Sequence, residues 1–156
     1  MDCPATTRSS PATLKIAFRC DLREVRATVA AIHDFLAKQG WSADDLMSFD
    51  LALVEACNNA IKYAREPARA LPVELEASSS ATQVEFRLHD HTPGFDWPAR
   101  IELPPPESES GRGLYLINAV MDYAGYFRGQ NENMLILRRN RPAPEIRRPA
   151  MESPPT

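Results

Sequence analysis

Glycine and cysteine are both scarce in this chain, long apolar runs are absent, and neither sign of charge dominates. Only three cysteines occur, Cys3, Cys20 and Cys57. They are odd in number, scattered, and never spaced as CxxC, which argues against a disulfide frame or a zinc site and for reduced thiols. The longest apolar runs, such as 51–54 and 134–137, fall far short of the roughly 20 residues that cross a bilayer. Met1 to Ser10 has no apolar core of a signal peptide, so secretion by that route is not expected. The net charge of −3 gives no bulk attraction to nucleic acid or to an anionic membrane. Two phosphate-binding signatures are also missing: there is no GxxxxGK[ST] and no GxGxxG, which excludes a P-loop and a dinucleotide fold. The composition therefore reads as a cytoplasmic protein with no nucleic-acid or membrane partner.

What is present is sufficient for one domain. A chain of 156 residues, 44% hydrophobic, can bury a core without metal or disulfides. Of six glycines, three stand at Gly94, Gly111 and Gly113, so two loops there demand special backbone geometry. Of 14 prolines, five lie between Pro142 and Pro155, where apolar periodicity is lost. A segment of that kind cannot bury enough surface to offset its ordering entropy. The expected organisation is a flexible N-terminus over 1–11, a folded domain over 12–140 and a disordered tail over 141–156.

Alternation of Leu14, Ile16 and Phe18 predicts a strand over 13–20. Asp21 then caps a helix, with Glu24 completing a capping-box pair and Leu22, Val25, Val29, Ile32 and Leu36 as its apolar stripe until Gly40. Ser42 caps a second helix, with Asp44 and Asp45 in its first turn and a core stripe of Leu46, Phe49, Leu53, Ala56 and Ala60, running to about Ala64 before Pro67. Strands follow over 73–77 and 82–89, joined by a turn at Ser78 to Ser80. A third long helix is predicted over 111–124, with Leu114, Ile117, Val120 and Met121 inward, then a hairpin of strands 126–128 and 134–138. Grouped helices and strands predict an α+β fold, a two-layer sandwich with helices on one face of a mixed, mostly antiparallel sheet.

Three polar features carry candidate chemistry. Glu55 and Asn59 are four residues apart on the second helix, hence about 40° apart around its axis. They form either a solvated face opposite the Leu46/Leu53/Ala60 stripe or a pocket pair. An amide oxygen suits Mg²⁺, and a carboxylate beside it can serve as a general base. Asp90 ends a strand before His91-Thr92-Pro93-Gly94-Phe95; it is either a turn residue or a buried acceptor that reads an adenine amine. Gly111-Arg112-Gly113-Leu114 opens a helix, whose free N–H groups and dipole favour phosphate.

Taken in order, the segments 54–60, 90–96 and 111–117 resemble the N, G1 and G2 boxes of the GHKL ATPases, the family with the Bergerat nucleotide-binding fold. Within it the chain looks most like the anti-sigma factor serine kinases of the RsbW/SpoIIAB type, over roughly residues 12–140. The resemblance implies ATP and Mg²⁺ as ligands, Asn59 as the Mg²⁺ ligand and Glu55 as the catalytic base. It implies Asp90 on the adenine amine, Gly94, Gly111, Gly113 and Leu114 around the nucleotide, and Arg112 as a phosphate contact unless it is a solvated loop charge. The Pro98 to Ser110 stretch would be the lid. Two positions depart from the pattern: Thr92 stands where the G1 box usually has glycine, and Tyr63 where histidine often follows the N box.

The expected partners are a sigma factor, a STAS-domain anti-anti-sigma factor as phosphorylation substrate, and a second copy of the chain in a homodimer. Two other readings compete. One is a nucleotide-binding regulatory module without kinase activity. The other is a histidine-kinase catalytic fragment, disfavoured because no phosphoacceptor-type helix precedes residue 55. His33, His89 and His91 are isolated and carry no ligand spacing, Cys57 reads as a small core residue, and Trp41 and Trp97 are either packing residues, the expected role, or marks of a partner surface.

Overall fold

The computed structural model describes residues 9–108 and 111–142. The termini expected to be flexible lie largely outside the described residues, as do positions 109 and 110. The elements, in order, are β1 (Ala12–Phe18), α1 (Leu22–Lys38), α2 (Ala43–Lys62), β2 (Val73–Ser79), β3 (Gln83–Asp90), α3 (Arg112–Val120), β4 (Tyr123–Arg128) and β5 (Asn133–Asn140). A single 3-10 turn at Ala68–Ala70 precedes β2.

The five strands form one sheet in the order β1-β2-β3-β5-β4. All four ladders are antiparallel, so the parallel pairing that a mixed sheet allows does not occur among the described residues. One sheet face is apolar at alternate positions: Val73, Leu75 and Ala77 on β2, Val84, Phe86 and Leu88 on β3, Leu135 and Leu137 on β5 are all buried. The helices cover that face, with α2 between α1 and α3 and in contact with both.

The central anchor is Phe49 of α2. Its ring meets Trp41 at 5.1 Å and Phe86 at 5.5 Å, both edge-on, the arrangement favoured by the aromatic quadrupole. Ile32, Leu36 and Leu53 are fully enclosed beside it. Each such side chain contributes about 1.5–3 kcal/mol by leaving water. Trp41 is a packing residue as expected: its indole N–H donates to Ser79 Oγ at 2.9 Å, and Arg141 stacks on its ring at 4.2 Å.

Local signals set most boundaries. Asp21 caps α1 by accepting from the Arg23 N–H at 2.9 Å, and Ser42 caps α2 by accepting from the Asp45 N–H at 3.2 Å. The expected capping box at Asp21 is not closed, because Glu24 turns to the Arg19 side chain at 2.8 Å. Leu22 leaves the predicted stripe and is 59% exposed, its place taken by Thr28, which is buried.

The largest departure is α3. It stops at Val120, and Met121 is already extended (ψ 146°). Asp122 N–H then donates to Arg138 O at 2.9 Å, drawing the chain onto β5. Pairing of Tyr123 with Arg138 and Ala124 with Leu137 outweighs the helix preference of these residues. The β2–β3 turn also moves: Ser78 and Ser79 stay in the ladder, and Ser80 and Thr82 form the turn.

Candidate active site

Three sequence-distant segments meet at one end of the α2–α3 groove. Antiparallel register places Asp90, the last residue of β3, opposite Asn133, the first of β5. A narrow cavity between this sheet end and the helices is lined by Ala56, Asn59, Ala60, Tyr63, Asp90, Thr92, Leu114 and Tyr126, among others. Asn59 therefore flanks the buried side of α2 rather than lying opposite it. The physical reason is that α3 packs along that side and turns a face that sequence alone leaves solvated into a wall.

Asp90 is 4% exposed, and its carboxylate is firmly oriented. Oδ1 accepts from the Thr92 N–H at 2.9 Å, the Thr92 hydroxyl at 2.7 Å and the Asn133 side-chain amide at 3.0 Å. The same Asn133 amide also donates to Thr92 O at 2.8 Å. No donor among the described residues reaches Oδ2, so one acceptor oxygen is left for a ligand. Thr92, in the usual glycine position, turns its hydroxyl onto Asp90 and thus orients the acceptor.

Gly94 closes this turn with φ +78°, a left-handed geometry strained for any side chain. A Cβ there would also lie 2.8 Å from Arg128 Nε. Gly94 shapes the loop beneath Asp90 and does not line the cavity.

The glycine pair of α3 brings its first turn against α2. Gly111 is the N-cap residue, with φ +89° and no side-chain cap. A Cβ on Gly113 would sit 2.8 Å from Glu55 Oε2 and 3.7 Å from Asn59 Nδ2, so only glycine allows so close an approach. Among the described residues, no hydrogen bond or ion pair engages the side chain of Glu55 or Asn59. Carboxylate, amide and helix N-terminus form a donor and acceptor set that fits a magnesium-bound polyphosphate.

Arg112 lies apart from this set. Its side chain is exposed and donates to Pro106 O at 2.6 Å, bracing the irregular 91–108 stretch. Leu114, by contrast, lines the cavity as an apolar wall.

Aromatic residues complete the cavity lining. Phe95 stacks on Tyr126 at 4.5 Å, while Trp97 and Tyr63 lie 6.0 and 6.1 Å from Phe95. The Tyr126 hydroxyl is buried against Thr92 and the Phe95 N–H without hydrogen-bond geometry to either, and has no partner. Burial first, and then the Asp90 charge, push its pKa above the ordinary value, so it stays a protonated donor. The enclosed volume is only about 20 Å³, too small for a nucleobase with the 95–97 segment where it lies. The aromatic run Phe95-Asp96-Trp97 was the available sequence signal. Asn133 and Tyr126 had none, because only strand register brings them to Asp90.

Larger open hollows lie elsewhere, one of about 510 Å³ on the outer α1–α2 groove and one of about 630 Å³ near Cys20 and Arg69. His33 pairs with Asp50 at 2.8 Å, His89 with Glu132 at 2.6 Å, and His91 with Asn131 O at 3.0 Å. Among the described residues no three-residue metal cluster forms, and no helix is long and apolar enough to cross a membrane.

Known proteins share the sequence pattern and the fold. Residues 18–139 match the profile of the histidine kinase-like ATPase domain. The serine-protein kinase RsbW of Bacillus licheniformis is 31% identical over 107 residues, 63% of this chain and 65% of its own length. That of Halalkalibacterium halodurans is 30% identical over 107 residues, covering 63% of each. The chain thus spans less than two thirds of the length of these curated relatives. Among solved structures, the RsbU and RsbW domains of Rv1364c from Mycobacterium tuberculosis superpose with a TM-score of 0.64 at 18% identity, over 85% of this chain and 34% of that one, a likeness of fold. The profile match spans most of the chain, and the chain belongs to the histidine kinase-like ATPase domain family.

Proposed function

We propose that this protein is an ATP-dependent serine-protein kinase and anti-sigma factor. In this reading it binds Mg-ATP, sequesters a sigma factor as a homodimer, and phosphorylates a serine on a STAS-domain antagonist. The folded unit would be residues 12–140. The observation that carries the reading is the meeting of three separate segments: Asn59 and Asp90 line one cavity, and Gly113 lies directly against Glu55 and Asn59.

Each side chain has a definite task. Asp90 Oδ2 accepts from the base amine, which favours adenine over guanine. The N–H groups at the start of α3, opened by Gly111 and Gly113, face the phosphates. Asn59 would hold Mg²⁺, which when bound neutralises phosphate charge and aligns the terminal phosphoryl group. Glu55 accepts the serine proton as the serine oxygen bonds to the γ-phosphorus. The bond from that phosphorus to the β–γ bridging oxygen breaks, and ADP leaves with the bond electrons. Exchange between sigma factor and antagonist would follow from their different preferences for the ATP- and ADP-loaded forms.

The test is label transfer. Purified protein, Mg²⁺ and γ-labelled ATP are added to lysate of the source organism, beside a Glu55→Gln control. A small protein labelled on serine by the wild type alone supports the kinase. Bound ATP without transfer, in the presence of an expressed antagonist, moves the assignment to a non-catalytic regulatory module. Thr92, which stands where the motif usually has glycine, donates its hydroxyl to Asp90 and so helps to orient the acceptor.

A further inference from the structure

We propose that Tyr126 is a base-reading residue, whose buried hydroxyl donates to the adenine ring nitrogen beside the amine bound by Asp90. The inference rests on the nucleotide reading above and extends it to a residue outside the three boxes. Tyr126 lies on β4 opposite Leu135, on the helix-covered face of the sheet, and lines the same cavity as Asp90 and Asn59.

Its hydroxyl is one of two buried side-chain polar atoms without a partner among the described residues. Most buried hydroxyls are paired, because an unpaired one costs stability. An orphan donor inside a candidate ligand cavity is therefore a group awaiting an acceptor. The burial and the neighbouring Asp90 charge keep it protonated.

Adenine supplies the complementary edge. Its amine is a donor flanked on either side by an acceptor nitrogen, N1 or N7. Asp90 Oδ2 as acceptor beside Tyr126 as donor matches that pair. Guanine would turn its carbonyl oxygen towards Oδ2, acceptor against acceptor. The Oδ1 anchors, Thr92 and Asn133, stop the carboxylate from rotating to relieve such a clash. Phe95, stacked on the Tyr126 ring at 4.5 Å, must yield as the base enters.

The test measures Mg-ATP, 1-deaza-ATP and 7-deaza-ATP binding to wild type and Tyr126→Phe, with the melting temperature of each ligand-free protein. The expected result has three parts. The variant melts at or above wild type, because an unsatisfied hydroxyl has been removed. Its ATP affinity falls roughly five- to tenfold, the usual weight of one hydrogen bond. One deaza analogue binds wild type as weakly as ATP binds the variant, and loses nothing further in the variant. Equal ATP affinity of the two proteins overturns the inference, as does full wild-type affinity for both analogues. A wild type that binds no ATP overturns the nucleotide reading itself, which the Tyr126→Phe comparison cannot do.

Discussion

Replacing Gly113 by alanine separates stability from chemistry at one position. The new methyl would sit 2.8 Å from Glu55 Oε2, and ordinary contact begins near 3.4 Å, so the carboxylate must retreat by roughly 0.6 Å. The obstacle is the far end of a flexible side chain, and turning it away costs about 0.5–1.5 kcal/mol. Gly113 lies within α3 and its φ is not left-handed, so alanine is also the better helix former, by about 0.4–1 kcal/mol. The two effects nearly cancel. Gly113→Ala should therefore unfold within about 1 kcal/mol of wild type, as a urea titration followed by far-UV circular dichroism would measure. Catalysis does not cancel. A base displaced by a sizeable fraction of an ångström leaves its in-line geometry, and shifts near 1 Å cost about a hundredfold. Transfer of label from ATP to the serine substrate should fall at least tenfold in single turnover. Wild-type transfer by the variant would refute the placement of Glu55 against the phosphoryl group. Destabilisation beyond about 2 kcal/mol would refute the claim that only a mobile side-chain end stands in the way.

Three further outcomes follow from the buried polar and thiol groups. Asn133→Ala removes an amide that binds both Asp90 Oδ1 and Thr92 O at a site only 2% exposed, and should cost about 1–3 kcal/mol in chemical denaturation while weakening ATP binding. Burial pushes the Cys57 thiol up to about 12, so with an unfolded value near 9.0 it favours the native state below pH 9 and that contribution fades as pH rises towards 12. At pH 8 mass spectrometry after iodoacetamide treatment should show alkylation of the half-exposed Cys20 and none of Cys57 until denaturant is added; native alkylation of Cys57 would contradict its enclosure.

The amino-acid sequence by itself determined the elements whose signals are local. Caps at Asp21 and Ser42, the stripe from Leu46 to Ala60, and the alternation of Val84, Phe86 and Leu88 specify two helices and a half-buried strand. They depend on hydrogen bonds and periodicities that span only a few residues. The three boxes likewise named Glu55, Asn59, Asp90 and the glycines as candidates, because short spacings are legible in a sequence.

Tertiary structure decided the rest. The end of α3 at Val120 is set by β4 pairing with β5, an interaction absent from any local window. Register of β3 against β5 brings Asn133 to Asp90, some forty positions away in the chain, and β4 carries Tyr126 to the same cavity. Packing of α3 on α2 converts the polar side of α2 from a face that would be solvated into one wall of a site. It also turns Arg112 outward to Pro106, away from the place its motif position suggests. Sequence spacing fixes which groups share a helix face or a turn. Only burial and register fix which groups from different elements meet, and in what orientation.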